Sequence, residues 1–241
     1  MLRRKSLLGI LGGMGPEATV YFFRKIVRMT DARVDQDHIP ILIFNNPHIP
    51  DRTLAYLGKG ESPLPALLDS IKKLEEAGAN LIAIPCHSAH LWLSEMRNST
   101  TAEILSMVDI TVKKFGKKDK VGLIGTNLTI LSKLYESPLI ERGVEVVLPE
   151  DQNEVMKQIR LIKAGDIERA RVHLLKIAND LIDKGATHIL AACTEIPLAL
   201  RKNDFTVPFI DPMEDLAAEC ILRMGYNLRK IHENGGQEGY E

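Results

Sequence analysis

EAGANLIAIPCHSAH at Glu76–His90 and DKGATHILAACTEIP at Asp183–Pro197 are one passage written twice. A shift of 107 positions lays Gly78 on Gly185, Ala79 on Ala186, Ile82 on Ile189 and Cys86 on Cys193. In each copy a glycine that suits a helix C-terminus leads into a short apolar run without alternation. Such a run reads as a strand buried on both faces of a parallel sheet. Each run ends at a cysteine followed by polar residues, His87-Ser88 in one copy and Thr194-Glu195 in the other. Open α/β sheets carry their ligand crevices at the C-terminal ends of strands. Two such halves face to face would set one thiol on each side of a cleft, which suits moving a proton between two faces of a carbon.

Working outward, short apolar runs alternate with helical periodicity along the whole chain, the pattern of parallel α/β units. Leu7–Leu11 reads as a first strand, Gly12-Gly13-Met14-Gly15 as its turn, and Pro16 as the start of an amphipathic helix. Ile39–Phe44 is a second strand, Pro63–Ala77 a helix, and Leu81–Ile84 the strand before Cys86. The second half repeats the scheme: strand Lys120–Ile124, turn Gly125-Thr126-Asn127, helix Leu128–Glu136, strand Val144–Leu148, helices flanking Lys163-Ala164-Gly165, and strand His188–Ala192. Pro208–Ile210 reads as a returning strand, Met213–Ile231 as a terminal helix, and the final NGGQEGYE as disordered. The expected fold is therefore α/β, with two similar pseudo-symmetric domains, each a mostly parallel sheet flanked by helices, and the active site between them. Residues 1–112 plus 209–241 would form one domain and 113–208 the other. The first crossing lies in the basic KKFGKKDK (113–120) and the second near Phe205–Pro208.

Composition narrows the partners. The 241 residues are 45% hydrophobic and 26% charged with a formal net charge of −1, so a sound core is affordable and no basic face for nucleic acid is expected. Three cysteines are an odd count that does not read as a disulfide framework and fits a reducing, cytoplasmic setting. MLRRKSLLGILGGMG has a basic start, but its apolar run is short and broken by glycine, unlike a secretory signal. No run approaches the ~20 apolar residues of a membrane span.

Each motif has a bland counterpart. Gly13-Met14-Gly15-Pro16-Glu17-Ala18 fits a loose dinucleotide fingerprint, yet the second strand ends in Asn45-Asn46 where an acidic residue should hold a ribose. A small-anion site or a purely structural turn suits it better, with Met14 beside the cleft. A lone cysteine is usually inert packing, as expected for Cys220 in mid-helix, but two at equivalent strand ends point to chemistry. Loop and helix-start amides there would lower a thiol pKa. Zinc on Cys86, His87, His90 and Cys193 lacks any metal-site spacing. A nucleophilic pair of Cys86 with His87 or His90 would leave Cys193 unexplained. Arg52 and Lys163 read as solvated charges unless they face the cleft, where they would clamp a distal carboxylate.

Taken together, GILGGMGPEAT (9–19), FNNPHIPDRT (44–53), IPCHSAH (84–90), IKAG (162–165), AACTEIP (191–197) and FIDPMEDLAAE (209–219) resemble the aspartate/glutamate racemase family, in particular its archaeal-type aspartate racemases. The resemblance runs over nearly the whole chain. It implies racemisation of an acidic amino acid without pyridoxal phosphate, metal or any other cofactor, and commonly a homodimer. By position it makes Cys86 and Cys193 the catalytic pair and gives Arg52 and Lys163 the side-chain carboxylate of the substrate. His87, Ser88 and Ala89, with Thr126, Thr194 and Glu195, would line the place of the α-carboxylate and α-amino group. The family usually has asparagine then threonine after the first cysteine, where this chain has His87-Ser88. A histidine charged near pH 6.5 would bind a carboxylate and lower the pKa of Cys86, or would crowd the site and shift its substrate.

The superfamily that the chain resembles also contains hydantoin racemases, maleate isomerases and decarboxylases, and the non-enzymatic rivals are a two-lobed solute-binding module and a ligand-binding relative that His87 has made non-catalytic. A distal-carboxylate site built on Arg52 favours aspartate or glutamate. A binding module would not need paired cysteines, and its binding would survive their alkylation.

Overall fold

The computed structural model describes residues 6–230. Two four-stranded, fully parallel sheets form its framework, one in each half of the chain. The first holds β1 (Leu8–Gly12), β2 (Ile41–Asn45), β3 (Leu81–Ala83) and β4 (Glu103–Ile104) in the order β2-β1-β3-β4. The second holds β5 (Lys120–Gly125), β6 (Glu145–Val147), β7 (His188–Ala192) and β8 (Phe209–Ile210) in the order β6-β5-β7-β8. The orders are the same once the halves are overlaid, which is the pseudo-symmetry that the doubled passage predicts.

Helices cover both sheets: α1 (Pro16–Met29), α2 (Arg52–Tyr56), α3 (Leu64–Glu76), α4 (Leu93–Asn98) and α5 (Met107–Val112) in the first half. In the second are α6 (Asn127–Leu131), α7 (Glu136–Glu141), α8 (Gln152–Lys163), α9 (Ile167–Asp183), α10 (Ile196–Ala199) and α11 (Pro212–Arg223). The symmetry extends to single residues. Gly9 pairs with Ile82 in one sheet and Gly122 with Ile189 in the other. A Cβ at Gly9 would lie 2.9 Å from Ala79 Cβ, and one at Gly122 would lie 3.0 Å from Leu181 Cβ. Glycine at these two places lets the covering chain pack directly onto the central strand.

Four expectations need correction. The helix expected over Leu128–Glu136 is two short ones, α6 and α7, separated by a break where Lys133 takes φ 53°. The α2 helix arises between the second strand and Pro63, where the sequence suggests no regular element, and Asp51 caps it through a 2.8 Å bond from the Leu54 amide. The terminal helix stops at Arg223, where Gly225 takes φ 81°, and Ile231 and the NGGQEGYE tail lie outside the described residues. Finally, β8 pairs with β7, so the return crossing comes after Ile210 and not at Phe205–Pro208. Past that crossing α11 buries Met213, Leu216, Ala217, Cys220 and Ile221 in the core of the first sheet, against α1 and β1. Cys220 is packing, as expected.

Candidate active site

Cys193 immediately follows β7, and Cys86 follows β3 by three residues; each is 4% exposed. Both border one cavity of about 220 Å³, whose lining combines the first half (Met14, Arg52, His87, Ser88) with the second (Thr126, Lys163, Thr194, Glu195). Of the residues singled out from the sequence, Ala89 stands apart. It is fully buried and packs with Ile84 and Met96 behind the cavity wall. The cavity also takes Asp51, Thr53 and Thr129, together with Met156, Ile159 and Arg160 from α8. Arg160 had a readable signal: it stands one turn before Lys163, so both share a helix face. Nothing in the sequence marked Thr53 or Thr129.

The turn after β1 is built for closeness. Gly13 takes φ 97°, and a Cβ there would stand 2.3 Å from the Asn46 carbonyl carbon, so the turn lies against the loop after β2. Thr19 Oγ1 accepts from the Gly13 amide at 3.0 Å and donates to the Gly15 carbonyl at 2.9 Å, tying α1 to that turn. The space ahead of α1 holds an internal carboxylate. A Cβ at Gly15 would be 3.6 Å from Glu195 Oε1.

Glu195 organises the second cysteine. Cys193 Sγ donates to Glu195 Oε2 at 2.9 Å, and Thr194 Oγ1 donates to the same oxygen at 3.2 Å. Lys163 Nζ lies 3.5 Å from the other oxygen, Oε1. Burial, reinforced by the negative charge of Glu195, pushes the Cys193 thiol well above its usual range. This corrects the expected amide-lowered thiol: Cys193 keeps its proton. Burial works against the Lys163 ammonium, but Glu195 and the two cysteines outweigh it and the net shift is upward, so Lys163 is a cation. On the other side, Cys86 Sγ is 3.5 Å from Ser88 Oγ. Arg52 Nη1 donates to the carbonyls of Ile49 and Pro50 at 3.1 and 3.0 Å, while its Nε is buried without a partner.

Neither histidine near Cys86 touches a thiol. His90 Nδ1 lies 2.8 Å from the Cys86 carbonyl oxygen, and its Nε2 accepts from the Met107 amide at 3.0 Å. Both ring nitrogens are thus committed to backbone, which holds the Cys86 loop against α5 and overturns the Cys86–His90 nucleophile pair. His87 Nδ1 is 2.9 Å from Tyr135 Oη and its Nε2 has no partner, so His87 bonds no thiol either. Burial pulls the His87 pKa down to about 3, with His90 adding to the effect, so the cationic histidine expected beside Cys86 is a neutral one. Among the described residues, no group of three or more His, Cys, Asp or Glu side chains is placed to hold a metal ion. Nor, among the described residues, is any helix long and apolar enough to cross a membrane.

Two pseudo-symmetric lobes, each bringing one buried cysteine from the end of an equivalent strand to the same small cavity, define a two-lobed α/β protein with one shared site. The Asp/Glu/hydantoin racemase family model matches residues 11–220, and the chain belongs to that family. It is an isomerase, an amino-acid racemase. It is 28% identical over 223 residues to the broad-specificity amino-acid racemase RacX of Bacillus subtilis (strain 168), covering 89% of this chain and 96% of that one. The structure of Picrophilus torridus aspartate racemase superposes with a TM-score of 0.84 at 37% identity, covering 93% of this chain and 96% of the other. An aspartate racemase homologue from Pyrococcus horikoshii OT3 gives 0.70 at 26% identity, over 92% of this chain and 99% of that one.

Proposed function

We propose that this chain racemises aspartate, and glutamate less readily, without a cofactor, by passing a proton between Cys86 and Cys193. The observation that carries the reading is one buried cysteine at each of two equivalent strand ends, both bordering one small cavity with Arg52 and Lys163 on its wall. One thiolate removes the Cα proton and the opposite thiol delivers a proton to the other face. In one direction Cys86 is the base and Cys193 the acid, and the reverse direction starts from the exchanged protonation state. With no electron sink on the substrate, the carbanion depends on aimed donors in a closed site, here the hydroxyls of Ser88, Thr126 and Thr194 and the loop amides beside them. Arg52 and Lys163 hold the distal carboxylate, which selects a diacid over a neutral amino acid.

The lobes of this mechanism are the segment up to residue 112 together with α11, and residues 113–210. The enzyme works as a homodimer in the cytoplasm, a reading supported by the family resemblance and by three cysteines that are all free. The test is chiral chromatography of L-aspartate and L-glutamate after incubation with the purified chain and no additive. D-aspartate is the expected product; absence of both D-enantiomers, with turnover of a hydantoin or a non-amino diacid, would overturn the substrate assignment.

A further inference from the structure

We propose that Arg160 is a specificity-determining residue: its guanidinium joins Arg52 and Lys163 at the distal carboxylate and is the charge that makes the cavity prefer an acidic amino acid to a neutral one. Helix α8 carries Lys157, Arg160 and Lys163 at intervals of three residues, so three cations stand in one row on its surface. Like charges at that spacing weaken a helix unless anions meet them. Two of the three are met: Lys157 Nζ is 3.3 Å from Glu154 Oε2, and Lys163 Nζ is 3.5 Å from Glu195 Oε1. Arg160 is not. Its neighbours three and four positions away are Met156, Lys157, Lys163 and Ala164, none of them acidic. Among the described residues no hydrogen bond or ion pair engages its guanidinium, although the side chain borders the cavity.

The other charges of the cavity give that position a task. Arg52 and Lys163 share the lining with two carboxylates, Asp51 and Glu195. Arg52 is also tied by Nη1 to the carbonyls of Ile49 and Pro50. Apart from Arg160, the ionic side chains of the wall therefore cancel. The proposed reaction brings a thiolate and a substrate of one net negative charge into this space, and Arg160 is the cation in excess that meets them. Arg160 is exposed, so its fork can turn onto a carboxylate without breaking a bond of the resting protein. The identity of the ligand rests on the racemase reading; the unmatched charge on the wall does not.

The test is isothermal titration calorimetry of the full chain, R160Q and R160K with succinate, a diacid, and with L-asparagine, whose amide replaces the distal carboxylate. Racemisation kinetics of L-aspartate run alongside. The parent should bind succinate, R160Q should bind it about fivefold more weakly, and R160K should stay within about twofold of the parent. R160Q should raise KM for L-aspartate by a similar factor with kcat within about twofold, and its KM should depend less on salt than the parent's. L-Asparagine should bind the parent no more tightly than it binds R160Q. A parent that does not bind succinate, an R160Q that binds succinate or turns over L-aspartate as the parent does, an R160K as weak as R160Q, or an equal loss for L-asparagine would overturn the inference even if racemisation proceeds. Succinate binding that depends on Arg160 without any racemisation would overturn the proposed function and leave the inference standing.

Discussion

Glu195 sets the protonation of the thiol two residues before it. Its Oε2 accepts a hydrogen bond from the Cys193 thiol at 2.9 Å, and its charge adds to burial in raising the thiol pKa. Glu195→Gln removes that charge while keeping an oxygen acceptor, so the Cys193 thiolate should form at lower pH. Iodoacetamide labelling followed by mass spectrometry should find Cys193 modified several-fold faster at pH 8 in E195Q; an unchanged rate would mean that burial alone sets the pKa. His87 gives a stability prediction with a definite sign. Its folded pKa of about 3 lies below the unfolded value of about 6.5, so the unfolded chain gains a proton first on acidification. Its contribution is complete above about pH 6.5 and is lost below, at up to about 1.4 kcal/mol per pH unit. His90 and the carboxylates are common to H87Q and the parent, so the comparison isolates His87. Urea unfolding at pH 7, 6 and 5 should show the parent losing stability faster than H87Q, and parallel curves would contradict it. At this scale the sequence was legible where residue type limits chemistry: two cysteines, Arg52 and Lys163 all reach the cavity. It was silent where burial decides, since nothing in IPCHSAH says that His87 will be buried against Tyr135, 48 residues on.

Elements deliver those residues, and their legibility followed their causes. Both cysteine-bearing strands were readable because a parallel strand buried on both faces is an unbroken apolar run. The short helices α2, α6 and α7 were not, because six residues or fewer cannot display a 3.6-residue period and are set by caps and packing. The turn between β1 and α1 is the element with least tolerance. Gly13→Ala adds a Cβ at φ 97°, 2.3 Å from the Asn46 backbone. The variant should lose at least about 2 kcal/mol in urea denaturation and, by displacing Met14 from the cavity wall, most of its racemase activity. Gly122→Ala meets side chains and no backbone, Ile189 Cδ1 at 2.9 Å and Leu181 Cβ and Cδ1 at 3.0 and 3.2 Å, contacts that repacking can relieve. It should cost about 1–3 kcal/mol and leave KM near the parent value. Equal losses in both activity and stability would argue that the turn has no special bearing on the site.

The molecule as a whole is two copies of one sheet, held in register by a helix that belongs to the opposite half by connection. After β8 the chain leaves the second sheet, and α11 packs on the first. Asp211 sits at that crossing, 3% exposed, 3.2 Å from Lys25 Nζ and accepting from Tyr21 Oη at 3.0 Å. Burial raises its pKa while Lys25 and Tyr21 oppose that shift, so the pair is a largely desolvated clamp between the halves. Asp211→Ala should cost about 3 kcal/mol by urea denaturation, and a loss under 0.5 would mean that apolar packing of α11 alone fixes the lobes. The duplication made this architecture readable, but the sheet that takes the last strand was not, because Phe209-Ile210 would fit an edge of either. Two thiols across the cleft remain the central claim. The direct measurement is proton NMR of L-aspartate turning over in deuterated water, for the parent chain and for C86A and C193A. The account predicts that the first D-aspartate formed carries solvent deuterium at Cα while the remaining L-aspartate keeps its proton, and that each variant stops racemising. D-aspartate that retains the substrate proton, or a C193A variant that racemises at the parent rate, would contradict it.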